Sequence, residues 1–407
     1  MIENNLKKKV MEAGHQRWTM REWIRAFSVV VLVLDLASVY DVCVHYSLLF
    51  PGGHSWRPDF MTFWISLKMA VAGHLDLSYI PDEIYAVYLH TIHPVDNDRI
   101  NFNVYPPAFY LLIFPLVFFP VRVAYGLFVT MTFVTYARTL RHILPWKDLF
   151  WPLLAYPAVW LTLIQGQNAF LTATLAATAL LSMENNQKKM AGVWMGLLVI
   201  KPQLLVAVFF ALWVRRELQT LGIALLTGAG LMGGALLFGD SAMIHWMSSL
   251  KLNASVIKDN PVLLRFVPTT FAFMRLSGAS AVVSGLVQGG VGIVALMTLR
   301  SILLMTSSWA LGGAAIMVTG FLILPYVGFY DFAWLAFPLA WMTARGMTRG
   351  WLPGELWGLV ATWFLPFCFY LVSRHLNIPF APLTLMALLF LIWRRCHEEQ
   401  KLSGFGA

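Results

Sequence analysis

Long apolar runs broken by short polar or basic stretches dominate the chain. A polar, basic lead-in over residues 1–26, with Lys7, Lys8, Lys9, Arg17, Arg21 and Arg25, opens onto an apolar run from 27 to about 50. No small-residue cleavage site follows that run, so it reads as a retained first spanning helix with the lead-in cytoplasmic. Asp35 and Asp41 interrupt it; an acid at this depth is costly against lipid and is expected to face protein or a water-filled cavity. The stretch 51–105 is too polar to span and reads as a first outer loop. Its amphipathic pieces, around 60–72 and 81–90, suit short interfacial helices.

An apolar stretch over 104–136 follows, closed by Arg138, Arg141 and Lys147. Two shorter runs, 150–164 and 170–183, flank a polar hinge, QGQN, at 165–168. The run 191–213 is long enough to span, but Lys201-Pro202 breaks it near the middle. A Gly-rich run over 218–238 offers small residues for close helix approach. A second polar loop, 239–280, is expected on the outer face. Spans follow near 281–299, 302–324, 329–343, 352–372 and 379–393, then a polar tail, 394–407, expected in the cytoplasm. At about 20 residues per span, this is an all-α polytopic membrane protein of roughly ten to twelve transmembrane helices. Two topologies remain open for 106–213. If each run spans once, Arg138, Arg141, Lys188 and Lys189 fall outside; if 106–119 and 191–213 are re-entrant, all basic clusters fall inside. Residues 1–407 read as one membrane unit without internal repeats.

Composition narrows the class. Of 407 residues, 59% are hydrophobic and 12% charged, with mean hydropathy +0.68; a soluble domain carries about 25% charged residues. The 17 Trp and 29 Phe suit interfacial ring anchors. The net charge of +9 does not point to nucleic acid, because no soluble basic domain presents it; Lys and Arg at loop ends orient a polytopic chain. Cys43, Cys368 and Cys396 form no CxxC or Cys/His pattern, so neither a disulfide framework nor a zinc site is expected. His54, His74, His90 and His93 make no ligand pair. Asp96 and Asp98 form a DxD-like triplet, too short and common to predict a divalent ion, and no metal or other cofactor is expected. Nucleophile elbow, P-loop, GxGxxG and HExxH patterns are absent.

Several polar residues stand out against this background. Asp59, next to Arg57 at the membrane surface, could act as a general base with a pKa raised by partial burial, or could cap a helix or pair with Arg57. Position alone leaves both readings open. Lys201, mid-segment, needs an anionic partner such as a lipid phosphate or an internal acid, or else loses its proton or snorkels to the nearer interface. Gln167 and Asn168 could line a sugar cavity, although an ordinary polar turn explains them as well. Asp331, with Tyr326 and Tyr330 beside it, is a helix N-cap or an acceptor site. His245, Lys251, Lys258 and Arg265 are candidate phosphate contacts in the second outer loop, each equally a solvated charge.

Five motifs in order then resemble a known family. They are Asp59-Phe60 with Gly73 and Tyr79, Tyr105-Pro106-Pro107 opening an apolar helix, Gly166-Gln167-Asn168, Ala191-Gly192 with Gly196 and Lys201-Pro202 trailed by Arg215-Arg216, and Pro325 with Tyr330-Asp331. The succession is similar to glycosyltransferase family 87, the polyprenol-phosphate-sugar-dependent membrane enzymes of the GT-C superfamily. The late turn PYVGFYD departs from that pattern in lacking a histidine. The resemblance implies helices around a cavity open to the outer leaflet of a bacterial inner membrane, with the first outer loop folded over it. It implies inverting transfer of a sugar, mannose in the best-known relatives, from polyprenyl phosphate to a hydroxyl of a lipid-linked or cell-envelope glycan. Asp59 would take the acceptor proton; Lys201, Arg57, Lys258 and Arg265 would hold the phosphate; Gln167, Asn168, Tyr105, Tyr326, Tyr330 and Asp331 would line the sugar and acceptor sites. A flippase for a lipid-linked sugar is the competing reading, favoured by broken helices with polar midpoints. The absence of inverted repeats and the concentration of acids in an outer loop speak against it. A scaffold subunit would need no catalytic carboxylate.

Overall fold

A computed structural model describes residues 20–45, 58–94, 100–376, 378 and 380–404. No strand occurs among the described residues. The apolar runs dictate this: within hydrocarbon each segment must satisfy its own backbone, and a helix does so internally.

Helix α1 (Met20–His45) leaves Trp23, Val30, Val33 and Leu34 exposed, as lipid contact requires, and buries a single stripe of Ser28, Val31 and Asp35. Asp35 thus faces protein, as its cost in lipid demands. Helix α2 (Asp59–Val71), a 3₁₀ turn (Leu75–Tyr79) and α3 (Pro81–Ile92) form the first loop region. The sequence suggests that α2 lies on the membrane surface, but Phe60 to Leu67 are all buried. Distant segments cover both of its faces, a choice that its own amphipathicity cannot register.

Helix α4 (Pro107–Ile113) and a 3₁₀ turn lead to α5 (Val121–Arg141), α6 (Trp146–Leu154), α7 (Pro157–Gln165) and α8 (Ala169–Glu184). Helices α9 (Lys188–Leu197) and α10 (Leu205–Val214) are the halves of the apolar run that Lys201-Pro202 divides, followed by α11 (Leu218–Gly234). The break is a pair of short 3₁₀ turns around Lys201, where the non-helical backbone of that residue (φ −143°, ψ 68°) admits the proline.

The second loop region, expected as a polar loop, is helical: α12 (Asp240–Lys258), α13 (Pro261–Leu264) and α14 (Thr270–Leu276). It docks on the first loop region, with Trp246 Nε1 donating to the Val104 carbonyl at 3.1 Å and His245 Nδ1 3.2 Å from that of Asp76. Helices α15 (Ala281–Met305) and α16 (Trp309–Ile323), a 3₁₀ turn (Phe329–Leu335), α17 (Ala336–Arg349), α18 (Glu355–Leu376) and α19 (Ala381–Gly404) complete the chain. The expected polar tail continues α19 as helix, and its Arg395 forms a buried ion pair with Glu355 of α18. Among the described residues, Glu22–Tyr40, Leu218–Phe238 and Ala281–Met305 are long and apolar enough to cross a membrane, and five shorter apolar helices accompany them. The protein is an all-α polytopic membrane protein.

Small residues allow a close contact between α9 and α11. A Cβ on Gly196 would lie 2.5 Å from Thr227 Cβ and 2.7 Å from the Ala224 carbonyl oxygen; one on Gly192 would lie 2.8 Å from the Thr220 carbonyl oxygen. Backbone-to-backbone approach of α9 and α11 is possible only with glycine there.

One end of the bundle is tied by charge. Glu184, closing α8, accepts from the backbone N–H of Ala310 at 3.2 Å and from that of Trp309 in the first turn of α16. Arg215 lies 4.2 Å from the Trp309 ring centroid and donates to the carbonyls of Thr306 and Ser308. Lys188 pairs with Glu217 at 2.9 Å. The QGQN hinge starts α8 at its opposite end.

Candidate active site

Asp59 is the first residue of α2, where the helix dipole favours a carboxylate. Pro58 holds the N-cap position without a side-chain cap bond, and both Asp59 carboxylate oxygens accept from side-chain amides: Gln167 Nε2 donates to Oδ2 at 2.5 Å, and Asn101 Nδ2 donates to Oδ1. Burial pushes the Asp59 pKa above the usual carboxylate value; the hydrogen bonds from Gln167 and Asn101, then the Lys201 charge, pull it partly back. The residue retains some solvent exposure.

Gln167 is aimed by its neighbours. Gly166 closes α7 with left-handed backbone (φ +61°), and a Cβ there would meet Phe60 Cβ and Tyr125 Cε2, both at 2.7 Å. Only glycine brings this hinge against the residue that follows Asp59. The Tyr105 hydroxyl donates to Gln167 Oε1 at 2.8 Å, which leaves Nε2 to face the carboxylate.

Lys201 and Asp331 form a buried ion pair at 2.5 Å, with side chains 6% and 1% exposed. Of the readings the sequence leaves open for Lys201, the structure shows pairing with an internal acid, 130 residues away. Asp331 also accepts from the Gly328 N–H at 3.3 Å, so it serves as a cap and as a counter-ion together. The Tyr330 ring centroid lies 5.3 Å from the Lys201 ammonium. Tyr105, Tyr326 and Tyr330 all feel the charges of Asp59 and Asp331, which places the five in one electrostatic neighbourhood.

Other expected residues fall differently. Asn168 is fully buried behind Gln167, and neither polar atom of its amide has a partner. Lys258 is half exposed and 3.8 Å from Asp259. Arg265 borders the late turn: Phe266 packs on Phe329 at 5.7 Å, Thr269 Oγ1 donates to the Pro325 carbonyl at 3.0 Å, and Arg265 Nε is buried without a hydrogen bond. Arg57, Asp96 and Asp98 lie outside the described residues. Among the described residues, no three His, Cys, Asp or Glu side chains converge as metal ligands would.

Asn101 and Asn103 escaped the sequence reading. Asn103 is buried and fully bonded: Nδ2 donates to Ser66 at 3.1 Å and to Ser78 at 2.8 Å, and Oδ1 accepts from Tyr110 at 2.7 Å. The signal available was the alternation N-F-N-V-Y over 101–105, whose period of two matches an extended segment facing one surface.

The family model described as glycosyltransferase family 87 matches residues 103–325, more than half of the chain. The chain belongs to glycosyltransferase family 87. The match takes in Tyr105, Gln167, Lys201 and Arg265, while Asp59 and Asp331 flank it. No curated protein and no solved structure matches the chain. Membership makes this family 87 protein a membrane glycosyltransferase, with a sugar donor and an acceptor as its substrates.

Proposed function

We propose that the protein transfers a sugar, mannose or another hexose or pentose, with inversion from a polyprenyl-phosphate donor to a hydroxyl of a lipid-linked or cell-envelope glycan. Asp59 takes the proton of the acceptor hydroxyl as its oxygen attacks the anomeric carbon from the face opposite the phosphate. The bond between that carbon and the phosphate oxygen breaks, and the electron pair leaves on the phosphate. The observation that carries this reading is the Asp59 carboxylate itself: partly open, raised in pKa by burial, and held at both oxygens by amides that do not consume its charge. Lys201 has three donors, and Asp331 occupies one, so the ammonium can also steady a departing phosphate. Arg265, with Arg57 and Lys258, is the further source of positive charge. Gln167, Tyr105, Tyr326, Tyr330 and Asp331 line the sugar and acceptor positions, with Asn168 buried behind Gln167. Phosphate is a good leaving group once its charge is held, so the reaction needs one base and cations, and no metal.

The outer face of the inner membrane, with both termini cytoplasmic, is the sidedness that the charge pattern supports. Lys188, Lys189, Arg215 and Arg216 gather at the end of α8 opposite Gln167, about 24 Å away along a 16-residue helix. Basic ends favour the cytoplasm, which leaves Asp59 outside.

The test is transfer in vitro from polyprenyl-phosphate mannose and from other polyprenyl-phosphate sugars, wild type against Asp59→Asn. Loss of a general base costs about 10²–10⁴-fold in turnover with donor binding retained. Unchanged turnover in Asp59→Asn removes the base, and a flippase gives no transfer with either protein.

A further inference from the structure

The segment 101–105 is laid along α2 by side chains at every second position. Asn101 meets Asp59, Asn103 meets Ser66, and Tyr105 packs on Phe63, the ring centroids 4.9 Å apart, while its hydroxyl reaches Gln167 of the hinge. Its backbone is pinned as well. Thr62 Oγ1 donates to the Asn101 carbonyl at 3.0 Å, Trp246 Nε1 to that of Val104 at 3.1 Å, and the Tyr79 hydroxyl to that of Tyr105 at 2.9 Å. Three separate elements therefore fix the strap, and the one product of that fixing that points at the reacting carboxylate is the Asn101 amide. Asn103, by contrast, spends all its bonding capacity inside the packing.

We propose that Asn101 is a positioning residue that, with Gln167, orients the Asp59 carboxylate and sets its affinity for a proton. This rests on the reading of Asp59 as the base. An amide N–H can only donate, so it favours the ionised carboxylate over the acid. With one such donor on each oxygen, rotation of the carboxylate breaks both bonds, and the remaining lone pairs keep a fixed direction for the acceptor hydroxyl. The charged and titratable groups that bear on Asp59 are Lys201 from the helix break, Tyr326 and Tyr330 from the late turn, and Tyr105 from the strap, while Asp331 is paired with Lys201. None of these donates to Asp59 Oδ1.

The test uses the full-length protein in detergent and a probe that needs no substrate. Dicyclohexylcarbodiimide reacts with a protonated carboxyl, and mass spectrometry of the Asp59 peptide against pH gives its titration. In Asn101→Ala the midpoint should move up by about one pH unit, because a charge-assisted donor is gone. The acid limb of kcat/KM for transfer from polyprenyl-phosphate mannose should move with it. Asn101→Asp keeps the shape, loses the donor and adds a like charge, so its midpoint should move further; it also serves if the alanine variant does not accumulate. An unmoved midpoint, whatever the change in rate, overturns the proposal, since a purely structural strap alters rate or melting without moving the titration. Asp59→Asn keeps the two failures apart. If it retains transfer, the base reading falls; if it loses transfer while Asn101→Ala titrates as wild type, only the role of Asn101 falls.

Discussion

At the scale of single residues, two carboxylates meet opposite fates. Asp59 is raised by burial and only partly restored by its amide donors and Lys201. A base accepts a proton only when ionised, so transfer rises with pH through the Asp59 pKa and is lost below it. A pH profile of kcat/KM should place that acid limb above the ordinary carboxylate value of about 4. Asp331 is instead tied to Lys201, and the pair is fully buried. Lys201→Met leaves an uncompensated charge in the interior and should cost about 3–5 kcal/mol, read as a lowered melting temperature. The double variant Lys201→Met with Asp331→Leu removes both charges; it should recover melting and remain without transfer. Recovery of transfer in the double variant would assign the pair to the fold alone.

At the scale of elements, helix approach and helix interruption do different work. The close contact of α9 with α11 depends on Gly192 and Gly196, whose missing Cβ atoms admit backbone carbonyls of the neighbour. Gly196→Ala forces the pair apart and should destabilise by about 1–3 kcal/mol, whereas Gly230→Ala, which meets nothing within 4 Å on the same α11, should leave melting unchanged or slightly raised. Thermal unfolding of the two variants side by side checks this. The interruption at Lys201-Pro202 acts otherwise, since it turns the lysine out of the helical register and lets it reach Asp331.

At the scale of the whole molecule, the two loop regions pack on each other. Trp246 and His245 of α12 hold the strap and the 3₁₀ turn Leu75–Tyr79, while the basic turns lie at the far end of α8. Sidedness follows by labelling. A cysteine placed at the exposed Thr91 should react with a membrane-impermeant maleimide in intact cells, and one at the exposed Lys189 only after the membrane is opened. The reverse pattern would place Asp59 on the cytoplasmic side.

What the sequence determined by itself is whatever lies in one-dimensional order. Apolar runs of membrane length require helices, a Lys-Pro pair inside one of them requires a break, and Asp59, Gly166-Gln167, Tyr105 and Tyr330-Asp331 stand out because polar residues are rare in such a chain. Physical chemistry also dictates that a lysine buried as a cation must have an anion. Which anion it has is a matter of tertiary structure, because Asp331 lies 130 residues away and competes, on sequence, with every other acid. The same holds for the amides on Asp59, for the burial of α2, and for the helices within 239–280 and beyond 393. Each depends on which distant segment covers a surface, and local pattern records only that a surface is apolar or polar. The hydrogen-bond partners of the carboxylate were decided by packing.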